Sequence, residues 1–200
     1  MERKAALVLT LALMFIDLLT LSLNIQQVEA EGAIYIKSDG SINPSTTPIQ
    51  REGSIYTFTD NIYETIVVQK ANVIIDGNGY MLQGAGSNNG FDLVNINNVT
   101  IRKTRIKGFD YGIRIYKSSG NTVSGNILTE NNLRAIFVSN SSDNIISRNQ
   151  IVNNVGEGTF LWLTNNTVVA NNNVSNNGED GISIGYSSFY NTIVNNPVFN

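Results

Sequence analysis

From Gly112 onward the apolar positions form a repeating unit rather than one amphipathic stripe. Gly112, Ala135, Gly158 and Gly181 stand 23 residues apart, and each opens an alternating stretch: Ile113/Ile115, Ile136/Val138, Thr159/Leu161 and Ile182/Ile184. Alternation with period two marks a strand that buries one face. A second apolar position recurs at Val123, Ile146, Val169 and Ile193, and a third at Leu128, Ile151, Val174 and Val198. Every unit therefore carries three short strand-like segments. Backwards along the chain, Gly90 with Phe91/Leu93, Val99/Ile101 and Ile106 makes a 22-residue unit, and Val67 with Val73/Ile75 makes an earlier, longer one.

Such a unit is too short for a helical hairpin, so the pattern predicts an all-β, three-faced parallel β-helix in coils of 22–23 residues. The coils are expected over residues 65–200, after a lead-in and cap over residues 31–64. Stacking at about 4.8 Å places residues of equal phase above one another. The many asparagines then fall into columns: Asn126, Asn149, Asn172 and Asn196 in one, and Asn131, Asn154 and Asn177 in another. Ser118, Ser141, Thr164 and Ser187 form a third. Stacked amides bond along the axis, and Asn tolerates the left-handed backbone of tight turns, so these residues are expected to be structural ladders.

Register follows from the same phase. Ile136, Val138, Ile182 and Ile184 are expected inside, and Phe137 and Ser183 outside. The outward row reads Arg114, Phe137, Phe160 and Ser183, beside Tyr116, Ser139, Trp162 and Gly185.

Composition narrows the chemistry. A net charge of -3 and a pI near 4.9 give no basic stripe, so nucleic acid is excluded as an expected partner. With no His and no Cys there is no imidazole base, thiolate nucleophile or disulfide framework, and no cofactor or metal is expected. Residues 1–30 read MERK, an apolar run interrupted by Asp17, and a small-residue site ending at Ala30. This predicts a signal peptide or, if uncleaved, a membrane anchor, and a secreted or cell-surface remainder. The repeat phase is unfinished at NNPVFN without a polar cap, so the sequence is expected to be a fragment or to pair with another element.

The lead-in GAIYIKSDGSINPSTTPIQREGSIYTFTDNI, the first-coil motif VVQKANVIIDGNGYMLQG and the repeats YGIRIYKSSGNTVSGN and DNIISRNQIVNN carry a family resemblance. Over Ala33 to Asn200 the chain resembles the secreted archaeal and bacterial right-handed parallel β-helix proteins of the NosD type, with PbH1-type repeats. The resemblance implies a right-handed solenoid. For function it implies a range: surface proteins, a periplasmic accessory of copper-enzyme maturation, and more distant polysaccharide lyases and hydrolases. The copper role transfers poorly, because Met81 is the only Met outside the leader and His and Cys are lacking.

Four candidate features remain. Phe137, Phe160 and Trp162, with Tyr116, form an outward aromatic surface suited to sugar rings or another envelope protein. Tyr111, Arg134, Glu157 and Asp180 share the position before the small residue; Glu157 and Asp180 could act as paired carboxylates, and Arg134 could instead neutralise Glu157 as an ion ladder. Asp76, Asp92, Asp110 and Asp143 share no phase, which argues against a calcium site. Asn98, Asn140, Asn165 and Asn173 begin glycosylation triplets. These features point to an exported scaffold that binds polysaccharide or surface glycan without catalysis. The alternatives are a polysaccharide lyase or hydrolase, and a structural module of a surface assembly or NosD-like accessory.

Overall fold

The computed structural model describes residues 32–199, so the predicted leader at residues 1–30 lies outside the described residues. Three strands per coil wind the chain into a right-handed, three-faced parallel β-helix of about 6 turns. The first face stacks Ala33–Ile36, Thr65–Val68, Asn89–Val94, Tyr111–Tyr116, Arg134–Ser139, Glu157–Trp162 and Ile182–Ile184 in parallel. The second runs from Val73–Asp76 through Thr122–Ser124 to Thr192–Val194, and the third from Met81–Gln83 through Ile127–Thr129 to Val198–Phe199. The lead-in is built into this solenoid: Ala33–Ile36 pairs in parallel with Thr65–Val68, and Ile55–Phe58 pairs with Val73–Asp76. Antiparallel partners cover both, Ile42–Asn43 on the first and Ile49–Glu52 on the second, and they divert the outermost edges from further parallel pairing.

The core is a set of columns in the lumen. Ile66, Phe91, Ile113, Ile136 and Thr159 are in register on the first face, as are Val68, Leu93, Ile115, Val138 and Leu161, and all are buried. Leu82, Ile106, Leu128, Ile151 and Val174 fill the lumen from the third face. Removing each such side chain from water is worth about 1.5–3 kcal/mol, and repetition every coil makes the sum large. The predicted burial of Ile136 and Val138 is found. For Ile182, half-buried, and Ile184, 47% exposed, it is not, because Ile182–Ile184 is the last strand of its sheet and has a neighbour on one side only.

Thr159 is the polar member of an apolar column, fully buried, and its Oγ1 has no hydrogen-bond partner. Thr159→Val is isosteric and removes the unmet hydroxyl. It is expected to stabilise the fold by about 1 kcal/mol in a chemical-denaturation midpoint, whereas Thr159→Ala should destabilise it.

The asparagine doublets divide two tasks between neighbours. Asn153, Asn171, Asn176 and Asn195 take left-handed backbone, with φ of 57, 58, 53 and 53°. The next residues, Asn154, Asn172, Asn177 and Asn196, turn their amides inward as ladder rungs, and each rung accepts from the backbone N–H of the rung before it or its equivalent. A further column, not isolated by the apolar period, places Asn121, Asn144, Thr167 and Asn191 at one phase: the Asn121 N–H donates to Asn144 Oδ1 and the Thr167 N–H to Asn191 Oδ1. The hydroxyl column is found with one correction: the Thr164 N–H donates to Ser188 Oγ at 3.1 Å, so Ser188 and not Ser187 occupies that phase. The last coil holds one extra residue, taken up at Gly185: Ile184 pairs with Leu161 23 residues back, whereas the Leu163 N–H donates to the Tyr186 carbonyl as the Asn140 N–H does to that of Trp162, an offset of 24.

Candidate functional site

The outward side of the first face gathers most of the chemistry. In register, Asp92 lies beside Arg114, Arg114 beside Phe137, Phe137 beside Phe160, and Phe160 beside Ser183. Three positions earlier in the strands, Tyr111, Arg134 and Glu157 form a column, and two positions later Tyr116, Ser139 and Trp162 form another. Parallel register at every coil brings like residues to one spacing, so rings repeated in sequence become rings in contact.

They make a continuous chain. Tyr111 and Phe137 stack at 5.3 Å between centroids and 26° between planes, and Phe137 and Phe160 at 5.8 Å and 16°. Trp162 tilts 56° from Phe160 at 5.7 Å, and Tyr186 lies 6.2 Å from Trp162. Gly185 sits beneath the end of this chain, where any side chain would collide with the Phe160 and Trp162 rings. That close approach lets the two rings lie down over the last strand.

Charge closes the other side. The Arg134 guanidinium lies over the Phe160, Phe137 and Tyr111 rings at 4.6, 5.1 and 5.9 Å. Its Nε is 3.0 Å from Glu157 Oε2, and Nη2 donates to Oε1 at 3.2 Å. The pair is largely shielded, with side-chain exposures of 23% and 13%. Arg114 holds Asp92 in a fork, Nε to Oδ1 at 2.7 Å and Nη2 to Oδ2 at 2.9 Å. This bonded carboxylate raises the pKa of Arg114, chiefly by hydrogen bonding, which keeps the guanidinium charged.

Two expectations change as a result. Phe137 and Phe160 point away from the lumen but are only half-exposed, because neighbouring rings and Arg134 cover them. Free aromatic surface belongs instead to Trp162, 38% exposed, and to Tyr186, 73% exposed. Periodicity alone misses Tyr186 because the one-residue slip hides its phase; its place directly after Gly185, which the unbroken 23-residue period aligns with Trp162, was the available signal. Tyr116 is half-buried, with the Lys117 Nζ 5.1 Å from its ring centroid. The acidic pair does not assemble as one unit: Glu157 is held by Arg134, whereas Asp180 is exposed in the turn before Gly181.

The other candidates are placed as follows. Asn98, Asn140, Asn165 and Asn173 are all exposed. Asp76 and Asp92 are bonded to Arg102 and Arg114, and among the described residues no three carboxylates, His or Cys cluster as a metal set. A cleft of about 230 Å³ lies far from the rings in the lead-in, lined by Ile34, Pro44, Thr47, Asn61, Tyr63 and Glu64. The aromatic face itself is open and not a pocket.

A family model described as periplasmic copper-binding protein (NosD) matches residues 25–200. The chain belongs to the NosD family. Its solenoid is also that of solved structures: a mutant of the periplasmic alginate epimerase AlgG is similar with a TM-score of 0.54 at 18% identity, over 72% of this chain and 39% of that one. A second AlgG structure has a TM-score of 0.48 at 17% identity, covering 70% of this chain and 44% of that one. The enzymatically active domain of tailspike protein 2 from bacteriophage CBA120 has a TM-score of 0.46 at 10% identity, covering 84% and 30%. The chain thus spans about two fifths of the first AlgG structure, and that likeness describes the fold alone. No curated protein matches the sequence.

NosD membership raises copper directly, and the residues present do not suit it. Protein copper is held by thiolate, thioether or imidazole. The chain has no His and no Cys, and Met81 is the sole thioether among the described residues.

Proposed function

We propose that this NosD-family solenoid works outside the cytoplasm, secreted or at the cell surface, as a scaffold that binds glycan without catalysis. The observation that carries this reading is the unbroken ring chain from Tyr111 to Tyr186 on one rigid face. Trp162 and Tyr186 offer flat apolar surface to sugar C–H groups, and Tyr111, Phe137 and Phe160 hold them in place. A lyase or hydrolase has weaker support. Its best carboxylate, Glu157, is committed to Arg134, and paired acid and base groups do not converge with it.

Retention on an immobilised glycan array tests the proposal. Trp162→Ala and Tyr186→Ala are each expected to weaken retention at least roughly tenfold, the loss of one stacking partner. Because Trp162 is partly exposed, its truncation should cost only about 1–2 kcal/mol of stability, so thermal melts would show a folded variant. Retention unchanged by both substitutions, or product formation by the wild-type chain, would contradict the proposal. For copper, calorimetric titration with Cu(I) or Cu(II) is expected to reveal no one-to-one site; a stoichiometric site would overturn the ligand argument.

A further inference from the structure

We infer that the glycan taken by this face is a neutral one and that polyuronates and other polyanionic chains are discriminated against. The inference rests on the glycan-binding reading and assigns its substrate class. It follows from how the cations of the face are used.

A site for acidic sugar needs guanidinium or ammonium groups with free donors aimed at the ligand. Each arginine of this face is already ion-paired with a protein carboxylate. Arg114 spends its fork on Asp92, and Arg134 has its edge on Glu157 and its plane against three rings. A sugar carboxylate at either guanidinium would compete with a protein carboxylate already paired there, and displacing that shielded group would leave it beside the ligand without its partner. The turns around the face add acid: Asp110 precedes the Tyr111 strand, and Glu179 and Asp180 are exposed before Ile182–Ile184. Against them stands Lys117, whose ammonium lies over the Tyr116 ring. The chain as a whole is acidic, so long-range steering also opposes a polyanion. What is left uncovered at Trp162 and Tyr186 is apolar ring surface, which recognises C–H faces and needs no charge.

The test compares length-matched neutral oligosaccharides, cello- and xylo-oligomers, with oligogalacturonate by calorimetry on the full folded domain. Neutral oligomers should bind at least roughly tenfold more tightly, with affinity unmoved between low and physiological salt. Glu157→Gln frees the Arg134 charge, so the ratio of oligogalacturonate to neutral affinity should rise several-fold at low salt. Asp92→Asn, which frees Arg114, is the second variant and should shift the ratio the same way should Glu157→Gln fold poorly. Tighter oligogalacturonate binding by the wild-type chain, or a ratio unmoved by either variant, would overturn the inference while leaving glycan binding standing. If neither class binds at all, the glycan-binding reading itself fails and takes this inference with it.

Discussion

Asn149→Asp is expected to unfold the chain at neutral pH and to be tolerated far better in acid. Asn149 is buried at the centre of its ladder. Its Oδ1 accepts from Asn126 N at 2.9 Å and Asn126 Nδ2 at 3.1 Å. Its Nδ2 donates to Asn172 Oδ1 at 2.9 Å and to the Val123 carbonyl at 3.0 Å. Exchanging that NH2 for a carboxylate oxygen removes two donors and sets a negative charge against two acceptors, at a cost of about 3–5 kcal/mol. Burial and these acceptors raise the pKa of the introduced carboxyl in the folded state above its unfolded value near about 4. The sign follows: the folded state binds the proton more tightly, so the charge penalty is absent below about pH 4 and grows as pH rises to the folded value. Asn149→Ala should lose about 2–4 kcal/mol with no such pH dependence. Denaturation midpoints from pH 3.5 to 8 separate the two; parallel profiles, or losses under about 1 kcal/mol for both, would mean the ladder contributes little.

Gly156→Ala is expected to destabilise the fold by about 3 kcal/mol, near the upper end for overpacking. A methyl there would overlap the Leu133 carbonyl oxygen one coil below and stand 2.8 Å from its carbonyl carbon. The obstacle is backbone held in place, since the Leu133 N–H donates to the Asp110 carbonyl at 2.9 Å. Gly178 meets the Val155 carbonyl in the same way one coil later. Because Gly156 directly precedes Glu157, the strain would also disturb the Arg134 pair beside the rings. Gly125→Ala is the control: its φ is +66° but nothing lies within 4 Å of the added carbon, so only the left-handed backbone cost of about 1 kcal/mol applies. Equal losses at the two glycines would refute the close-approach argument.

Most of the solenoid is legible in the sequence because its period is written three times per coil. Phase alone predicts that Ile136 and Val138 are inside and that Asn126, Asn149 and Asn172 share a column, since parallel stacking turns equal phase into contact. Failures come where that equivalence breaks. One added residue in the last coil moves Ser188 into the expected place of Ser187 and swings Tyr186 out beside Trp162. Periodicity reports whether a side chain faces the lumen but not what its outward neighbours cover, so the shielding of Phe137 and Phe160 by Arg134 was not visible. The pairing of Arg134 with Glu157 was foreseeable because charges of opposite sign stand one coil apart at equal phase.

Trp162 is the chain's only tryptophan, so its fluorescence reports on the proposed surface without labelling. The most direct test of the glycan platform is the emission and acrylamide quenching of the folded domain titrated with a retained neutral oligosaccharide. A sugar stacked on the indole excludes water from it, so the emission should move to shorter wavelength and quenching should fall saturably, with the same midpoint as binding. A glycan that is bound while Trp162 emission and quenching stay unchanged would place binding elsewhere and contradict the account.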